Sequence, residues 1–231
     1  MSAAAGRVVE VDVDRLSGWV ERFAGRHGPL RTHLLAGGDE GQGEQGPGDG
    51  RRAVVVIEAG DGARAEIAIP YGPWSEPAAE DPVEALLDHV RAARTVGVLL
   101  VRRGGWAVAV VADGQVVATD TGGGYVQGTT KAGGWSQQRY ARRRGNQTHQ
   151  VWDRAADGAA AILLPYASAL GALVTGGDRA GVAAVLGDPR LTDLRPLVAS
   201  RFFAVGDPKR AVLDDVVRRL GSVVVTLNEL A

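Results

Sequence analysis

Apolar and polar residues alternate over residues 7–13 (RVVEVDV), the period of a half-buried strand. The period then changes. Leu16, Trp19, Val20 and Phe23 fall at i, i+3, i+4 and i+7, which predicts a helix over 14–26 with one apolar face, ended by Gly28 and Pro29. Residues 37–50 hold seven glycines among Asp, Glu and Gln, which predicts a loop that buries nothing. Two short runs, 53–58 and 64–69, flank Asp61-Gly62 and predict a hairpin. Prolines at 70, 73, 77 and 82 make the next connection irregular. Asp81-Pro82-Val83-Glu84 then reads as a helix start, with Asp81 as cap, Pro82 at N1 and Glu84 as capping-box partner.

A meander follows. Strand 96–102 turns at Gly104-Gly105 into 106–112, and that strand turns at Asp113-Gly114 into 115–119. Further on, the pattern predicts a helix from about 147 to 164, a strand over 171–175 and a helix capped by Asp178. A short strand near 201–205, a helix over 209–220 and a final strand over 222–227 complete the chain. An antiparallel meander followed by alternating helices and strands predicts an α/β fold with a mixed sheet and helices on both faces. That order matches the ribonuclease H-like arrangement. The predicted organisation is an N-terminal strand–helix unit over 1–36 and a flexible glycine-rich loop over 37–50. The main domain, 51–231, holds a functional loop over 121–147.

Composition narrows the chemistry. With no cysteine, disulfides and thiolate metal sites are excluded and a reducing, cytoplasmic setting is expected. Glu10 and Asp12 come too early for a secretory leader, and no apolar run approaches the ~20 residues of a membrane helix, so no membrane partner is expected. His27, His33, His89 and His149 are scattered without metal-ligand spacing, so neither a metal nor a cofactor is expected. Residues 96–112 contain no Asp or Glu, which rejects a two-metal nuclease on this fold.

The formal net charge is −1, yet no acid occurs from Thr121 to Trp152, a window that holds Lys131, Arg139, Arg142, Arg143 and Arg144. Five fixed positive charges without an acid suit a polyanion such as nucleic acid. Trp135 and Tyr140 either stack on bases or anchor the loop. Ahead of the arginines, Gly133 to Gln138 are uncharged and polar apart from Trp135, and they are expected to form a flexible tip, disordered from Gly122 to about Gln138 without RNA. Ser136 lacks the second glycine of a nucleophile elbow, and its nearest histidine in sequence is His149. Gly123 to Lys131 lacks the ending of a phosphate loop. Gly176-Gly177-Asp178-Arg179 reads as a tight turn with a helix cap, and Arg218-Arg219 as a solvated face. Gln137 and Gln138 have no useful pKa. A glutamine can still orient a water and donate to a developing oxyanion, which suffices for a reactive bond such as the ester joining a peptide to tRNA.

Lys131-Ala132-Gly133-Gly134-Trp135-Ser136-Gln137, continued by Gln138-Arg139-Tyr140-Ala141-Arg142-Arg143-Arg144-Gly145-Asn146-Gln147, resembles the catalytic loop of the Vms-like release factors. The chain is most similar to their actinobacterial branch of peptidyl-tRNA hydrolases, relatives of the catalytic domain of eukaryotic and archaeal termination factors. The resemblance runs from about residue 50 to the end and rests mainly on this loop. It implies a ribonuclease H-like fold without nuclease acids and a glutamine that promotes attack of water on peptidyl-tRNA. Gly134 followed by Trp135, Ser136 and Gln137 fits the family pattern. That assigns Gln137 the catalytic role with Gly134 and Ser136, and leaves Gln138 as the alternative. Arg139, Arg142, Arg143 and Arg144, with Lys131, Trp135 and Tyr140, would hold ribosomal RNA or the tRNA acceptor end. The implied partners are the large ribosomal subunit, peptidyl-tRNA and ribosomal RNA. The termination factors' G-G-Q tripeptide is absent, and no stretch of the sequence is long enough for a codon-reading domain. Release of stalled chains, a ribosome-rescue and quality-control role, is therefore expected rather than termination. Two readings compete with it: a non-catalytic RNA-binding ribosome-associated factor using the same arginines, and a metal-dependent hydrolase, which lacks converging acids.

Overall fold

The computed structural model describes residues 6–35, 53–72, 74, 81–124 and 135–231, with the side chains of 135–146 left out. The chain divides into two units. Among the described residues, one comprises those up to Ala93 together with Arg219–Ala231, and the other those within Arg94–Arg218.

The first unit is built on an antiparallel sheet. Its elements are β1 (Arg7–Asp12), α1 (Val13–His27), β2 (Leu30–Leu35), β3 (Val54–Ala59), β4 (Arg64–Ala68), α2 (Pro82–Arg91) and, from the far end of the chain, β10 (Ser222–Leu227). The strand order is β1-β10-β4-β3-β2, and every pairing is antiparallel. The β3–β4 hairpin turns as expected at Asp61-Gly62, with Gly62 at φ 90° and the Asp61 carboxylate accepting from the Ala63 amide at 3.0 Å. Asp81 caps α2 by accepting from the Val83 amide at 2.8 Å, and Pro82 opens the helix. Leu16 and Phe23 of α1 pack with Ile57, Ile67 and Leu86 in one buried core. The sequence reading of 51–231 as one domain did not separate these strands from the meander. β3 and β4 share a sheet with β1 because β10 lies between β1 and β4.

The second unit contains the meander. Its elements are β5 (Thr95–Arg102), β6 (Gly105–Ala112), β7 (Gln115–Gly123), α3 (Trp135–Leu163), β8 (Leu170–Gly177), α4 (Arg179–Leu186), β9 (Val198–Phe203) and α5 (Arg210–Arg218). The sheet order is β7-β6-β5-β8-β9; β6 is antiparallel to both neighbours, while β5, β8 and β9 run parallel. The predicted mixed sheet is therefore present, alongside a second, antiparallel one. The β6–β7 turn places both Asp113 (φ 50°) and Gly114 (φ 72°) in the left-handed region, the geometry that a two-residue hairpin with right-handed twist requires. On β6, Trp106, Val108 and Val110 enter a core with Val151, Ala155 and Ala159 of α3 and with Val182 and Val185 of α4. Ala107, Ala109 and Val111 alternate to the opposite face and are also buried. Burial on both faces explains why β5 and β6 read as continuous apolar runs. No helix of the described residues is long and apolar enough to cross a membrane.

Candidate functional site

Trp106 sits at the start of β6 beneath α3 and is 6% exposed. Its indole fills the space that side chains would need at two neighbouring glycines. A Cβ on Gly122 of β7 would lie 2.6 Å from its Cε2, and one on Gly158 of α3 would overlap its Cη2. These contacts press the end of β7 against the helix. At Gly124 the chain is still tied to the β5–β6 turn, its amide donating to the Gly104 carbonyl at 3.1 Å. A Cβ there would come within 3.0 Å of Val151 and 3.3 Å of the Arg154 guanidinium. The chain therefore leaves the sheet beside the middle of α3. The helix begins sixteen residues before Val151, so about 24 Å of it lies N-terminal to that contact.

The residues singled out in the sequence fall on this arm. Trp135, Ser136, Gln137 and Gln138 form the first turn of α3, and Arg139, Tyr140, Arg142, Arg143 and Arg144 follow in the next two. Lys131 and Gly134 lie outside the described residues. The predicted helix start near 147 is thus corrected to Trp135, and the expected flexible tip does not extend to Gln138. β7 also continues to Gly123, past the predicted end at 119. The reason is local: WSQQRYARRR contains neither Gly nor Pro, and six of its ten residues are Gln or Arg, which favour a helix. By helical spacing, positions 137, 141, 144 and 148 follow one line of α3, which runs on into buried Thr148, Val151 and Ala155. Positions 135, 139, 142 and 146 follow another. Gln137 and Gln138 are one residue, about 100°, apart around the axis.

Charge divides sharply between the units. Residues 94–218 carry sixteen Lys and Arg against ten Asp and no Glu, a net of +6; the other unit carries ten against seventeen acids, a net of −7. Within α3, Arg139 stands at i+3 and i+4 spacing from Arg142 and Arg143, and no acid occurs between Thr121 and Trp152 to compensate. Like charges at this spacing destabilise a helix by roughly 0.2–0.5 kcal/mol per pair. An anionic partner would remove that cost.

Other candidates resolve into structural roles. Ser136 and His149 belong to the same helix, about 20 Å apart along its axis, so they do not form a nucleophile–base pair. His149 instead meets Trp152 edge-on at 5.4 Å. Asp178 caps α4, accepting from the Ala180 amide at 3.1 Å after Gly177 turns at φ 96°. Arg218 pairs with Asp215 at 3.0 Å and Arg219 with Glu10 at 2.7 Å, so both are engaged rather than simply solvated. Among the described residues, no three His, Cys, Asp or Glu gather as a metal site would require. Sequence reasoning missed Trp106, Gly122 and Gly158, which set where the loop leaves the sheet. The only signal was a glycine inside the alanine-rich apolar face of α3.

Comparison with known proteins gives a family match. The model described as Actinobacteria/chloroflexi VLRF1 release factor matches residues 94–226, which takes in all of β5 to α5 and most of β10. Among solved structures, an archaeal translation termination factor, aRF1, is 13% identical over 73% of this chain and 47% of its own, with a TM-score of 0.42. A second, described only as an archaeal protein, is 13% identical over 72% of this chain and 46% of its own, with a TM-score of 0.40. The chain thus spans less than half the length of either. No curated protein matches.

Proposed function

The chain belongs to the Actinobacteria/chloroflexi VLRF1 release factor family, and on that premise we propose that it hydrolyses the ester of peptidyl-tRNA on stalled large ribosomal subunits. The observation that carries this reading is the arm of α3. Gln137 lies in its first turn, followed within seven residues by Arg139, Arg142, Arg143 and Arg144 and by no acid. An uncharged amide ahead of a cationic stem suits a substrate whose reacting carbonyl lies beyond a run of phosphates.

In the proposed reaction water adds to the ester carbonyl carbon, and the bond from that carbon to the ribose oxygen breaks. The peptide leaves with a free carboxyl group, and the ribose oxygen takes up the proton that water gives up. Gln137 is too weak a base to hold that proton. Its role is to orient the water and to donate its amide to the developing oxyanion. Gln138, in the adjacent register, is the alternative. Arg139, Arg142, Arg143 and Arg144, with Lys131, Trp135 and Tyr140, hold ribosomal RNA or the acceptor end of tRNA. Gly134 and Ser136 allow the close approach. The sheet order β7-β6-β5-β8-β9 with only β6 reversed supports a ribonuclease H-like body for this unit. The protein would work in the cytoplasm, without a cofactor.

One observation favours a second reading, an RNA-binding ribosome-associated factor without catalysis. Gln137 and Gln138 stand inside a helix rather than at a glycine-rich tip. Release of a labelled peptide from isolated large subunits, comparing wild type with Gln137→Ala and Gln138→Ala, separates the two. Turnover lost in one variant with binding intact supports the hydrolase. Binding without release by wild type supports the factor.

A further inference from the structure

The end of the mixed sheet from which α3 emerges carries positive charge beyond the helix. Arg102 closes β5 and Arg103 stands in the β5–β6 turn; both are exposed. The β8–α4 junction lies beside them, since the Asp178 amide donates to the Val101 carbonyl at 2.7 Å. Arg179 follows, with its guanidinium carbon 4.3 Å above the centre of the Phe202 ring. Arg102 reaches the chain beyond β9 and donates to the Val205 carbonyl at 2.8 Å. Lys209 is adjacent to Pro208, whose Cδ lies 4.0 Å from where Gly105 would carry a Cβ. Arg154 approaches this end from α3 at Gly124, which itself hangs from Gly104.

None of Arg102, Arg103, Arg154, Arg179 and Lys209 has an ion pair among the described residues, whereas Arg190, Arg210 and Arg218 of the same unit are paired. The acids next to these cations along the chain are Asp178, which is occupied as the α4 cap, exposed Asp207, and exposed Asp153 beside Arg154. Five cations against three acids leave an excess of +2 at the sheet end beside the α3 arm. The charges spread over the ends of β6, β5, β8 and β9, three strand spacings or about 14 Å. Four of the five are arginines, whose planar guanidinium groups match phosphate oxygens in pairs, and the ring of Phe202 holds that of Arg179 in place.

We infer that this sheet end is a second RNA-binding surface, contacting the sugar–phosphate backbone through Arg102, Arg103, Arg154, Arg179 and Lys209. It acts together with the basic arm of α3 and fixes the orientation of that arm. The inference rests on the reading that the protein works on ribosomal RNA, and adds a contact set which that reading does not contain.

The test uses the full chain carrying Arg103→Gln, Arg154→Gln, Arg179→Gln and Lys209→Gln together. Arg102 is left alone because it also ties β5 to Val205. Binding is measured against salt concentration on isolated large subunits and on protein-free large-subunit RNA, with thermal unfolding followed in parallel. The expected result is unfolding like wild type, affinity at least tenfold weaker on both probes, and a salt slope reduced by on the order of 3. A companion variant with Arg103→Lys, Arg154→Lys and Arg179→Lys keeps the charges and is expected to bind within a few-fold of wild type. Unchanged affinity and slope in the Gln variant would overturn the inference alone. Loss on subunits with unchanged binding to free RNA would overturn it in favour of an acidic protein partner. No binding of either probe by wild type would overturn it together with the RNA reading. Peptide release by Gln137→Ala tests the catalytic reading separately.

Discussion

Gly158 of α3 lies against the indole of Trp106 on β6, so closely that a methyl group on its Cα would overlap Cη2. Trp106 is thereby held between a helix glycine and Gly122 of β7, where a Cβ would lie 2.6 Å from the ring. The indole is almost fully buried and has no room to give. Replacing Gly158 by Ala is expected to destabilise the protein by about 1–3 kcal/mol, despite the better helix propensity of alanine. Thermal or urea unfolding measures it; an equal or higher stability would mean that α3 shifts freely on the sheet.

Gln137→Ala is expected to lower the rate of peptide release from large subunits by roughly 100- to 1000-fold, the scale of losing one oxyanion donor. Affinity for the subunit should stay within a few-fold. Gln138, about 100° away around the helix, is expected to tolerate alanine far better. Loss of binding in step with release would assign Gln137 a structural role instead.

Changing Arg139, Arg142, Arg143 and Arg144 to Gln is expected to weaken binding to large subunits. The salt slope should become shallower by ~0.7–0.9 for each phosphate contact removed. Helicity by circular dichroism should hold or rise, because the like-charge pairs at i+3 and i+4 disappear. A slope equal to wild type would show that these arginines do not face RNA phosphates.

About 24 Å of α3 lies before the Gly124–Val151 contact, so its helical state can be perturbed locally. Ala141→Pro removes a backbone donor and clashes with the preceding turn, costing the helix ~3 kcal/mol. Release is expected to fall at least tenfold while the main thermal transition keeps its midpoint. A large drop in that midpoint would mean that the arm is part of the core.

Asp188 has its carboxyl held down to about 2, from an ordinary value of 3.8, first by the Arg190 side chain and then by the Arg190 amide. Arg190 also reaches Asp157 of α3 at 2.8 Å. A carboxyl depressed on folding contributes stability that is complete above pH ~4 and is lost as pH falls toward 2. Asp188→Asn is therefore expected to lower the unfolding midpoint above pH ~4 and to converge with wild type near pH 2. A difference that does not change over that window would refute the ion-pair account.

The hairpins, the caps and the meander were legible because their causes are local. Asp61-Gly62 and Asp113-Gly114 supply the positive φ their turns need. Asp81, Asp178 and the residues after them close their helices through a side chain two positions away from the amide it accepts. The strand β2, at Leu30–Leu35, was not legible: its residues follow a Gly-Pro break and only the partner β3 makes them a strand. The helix start at Trp135 was obscured by the glycines that precede it, although the ten residues from Trp135 are good helix formers.

By itself the sequence determined the local elements, the acid-free basic window and the loop pattern by which the family could be named. Each is a matter of neighbours along the chain: propensity, turn chemistry and summed charge act within a few residues. Tertiary structure alone decided that the final strand joins β1 to β4, because strand pairing between segments more than 150 residues apart leaves no periodic trace. It also decided that Trp106 and two glycines set where the loop departs, and that Arg102, Arg154, Arg179 and Lys209 meet at one end of a sheet. Those relations depend on which surfaces pack together, and close packing is a property of the folded core rather than of any segment within it.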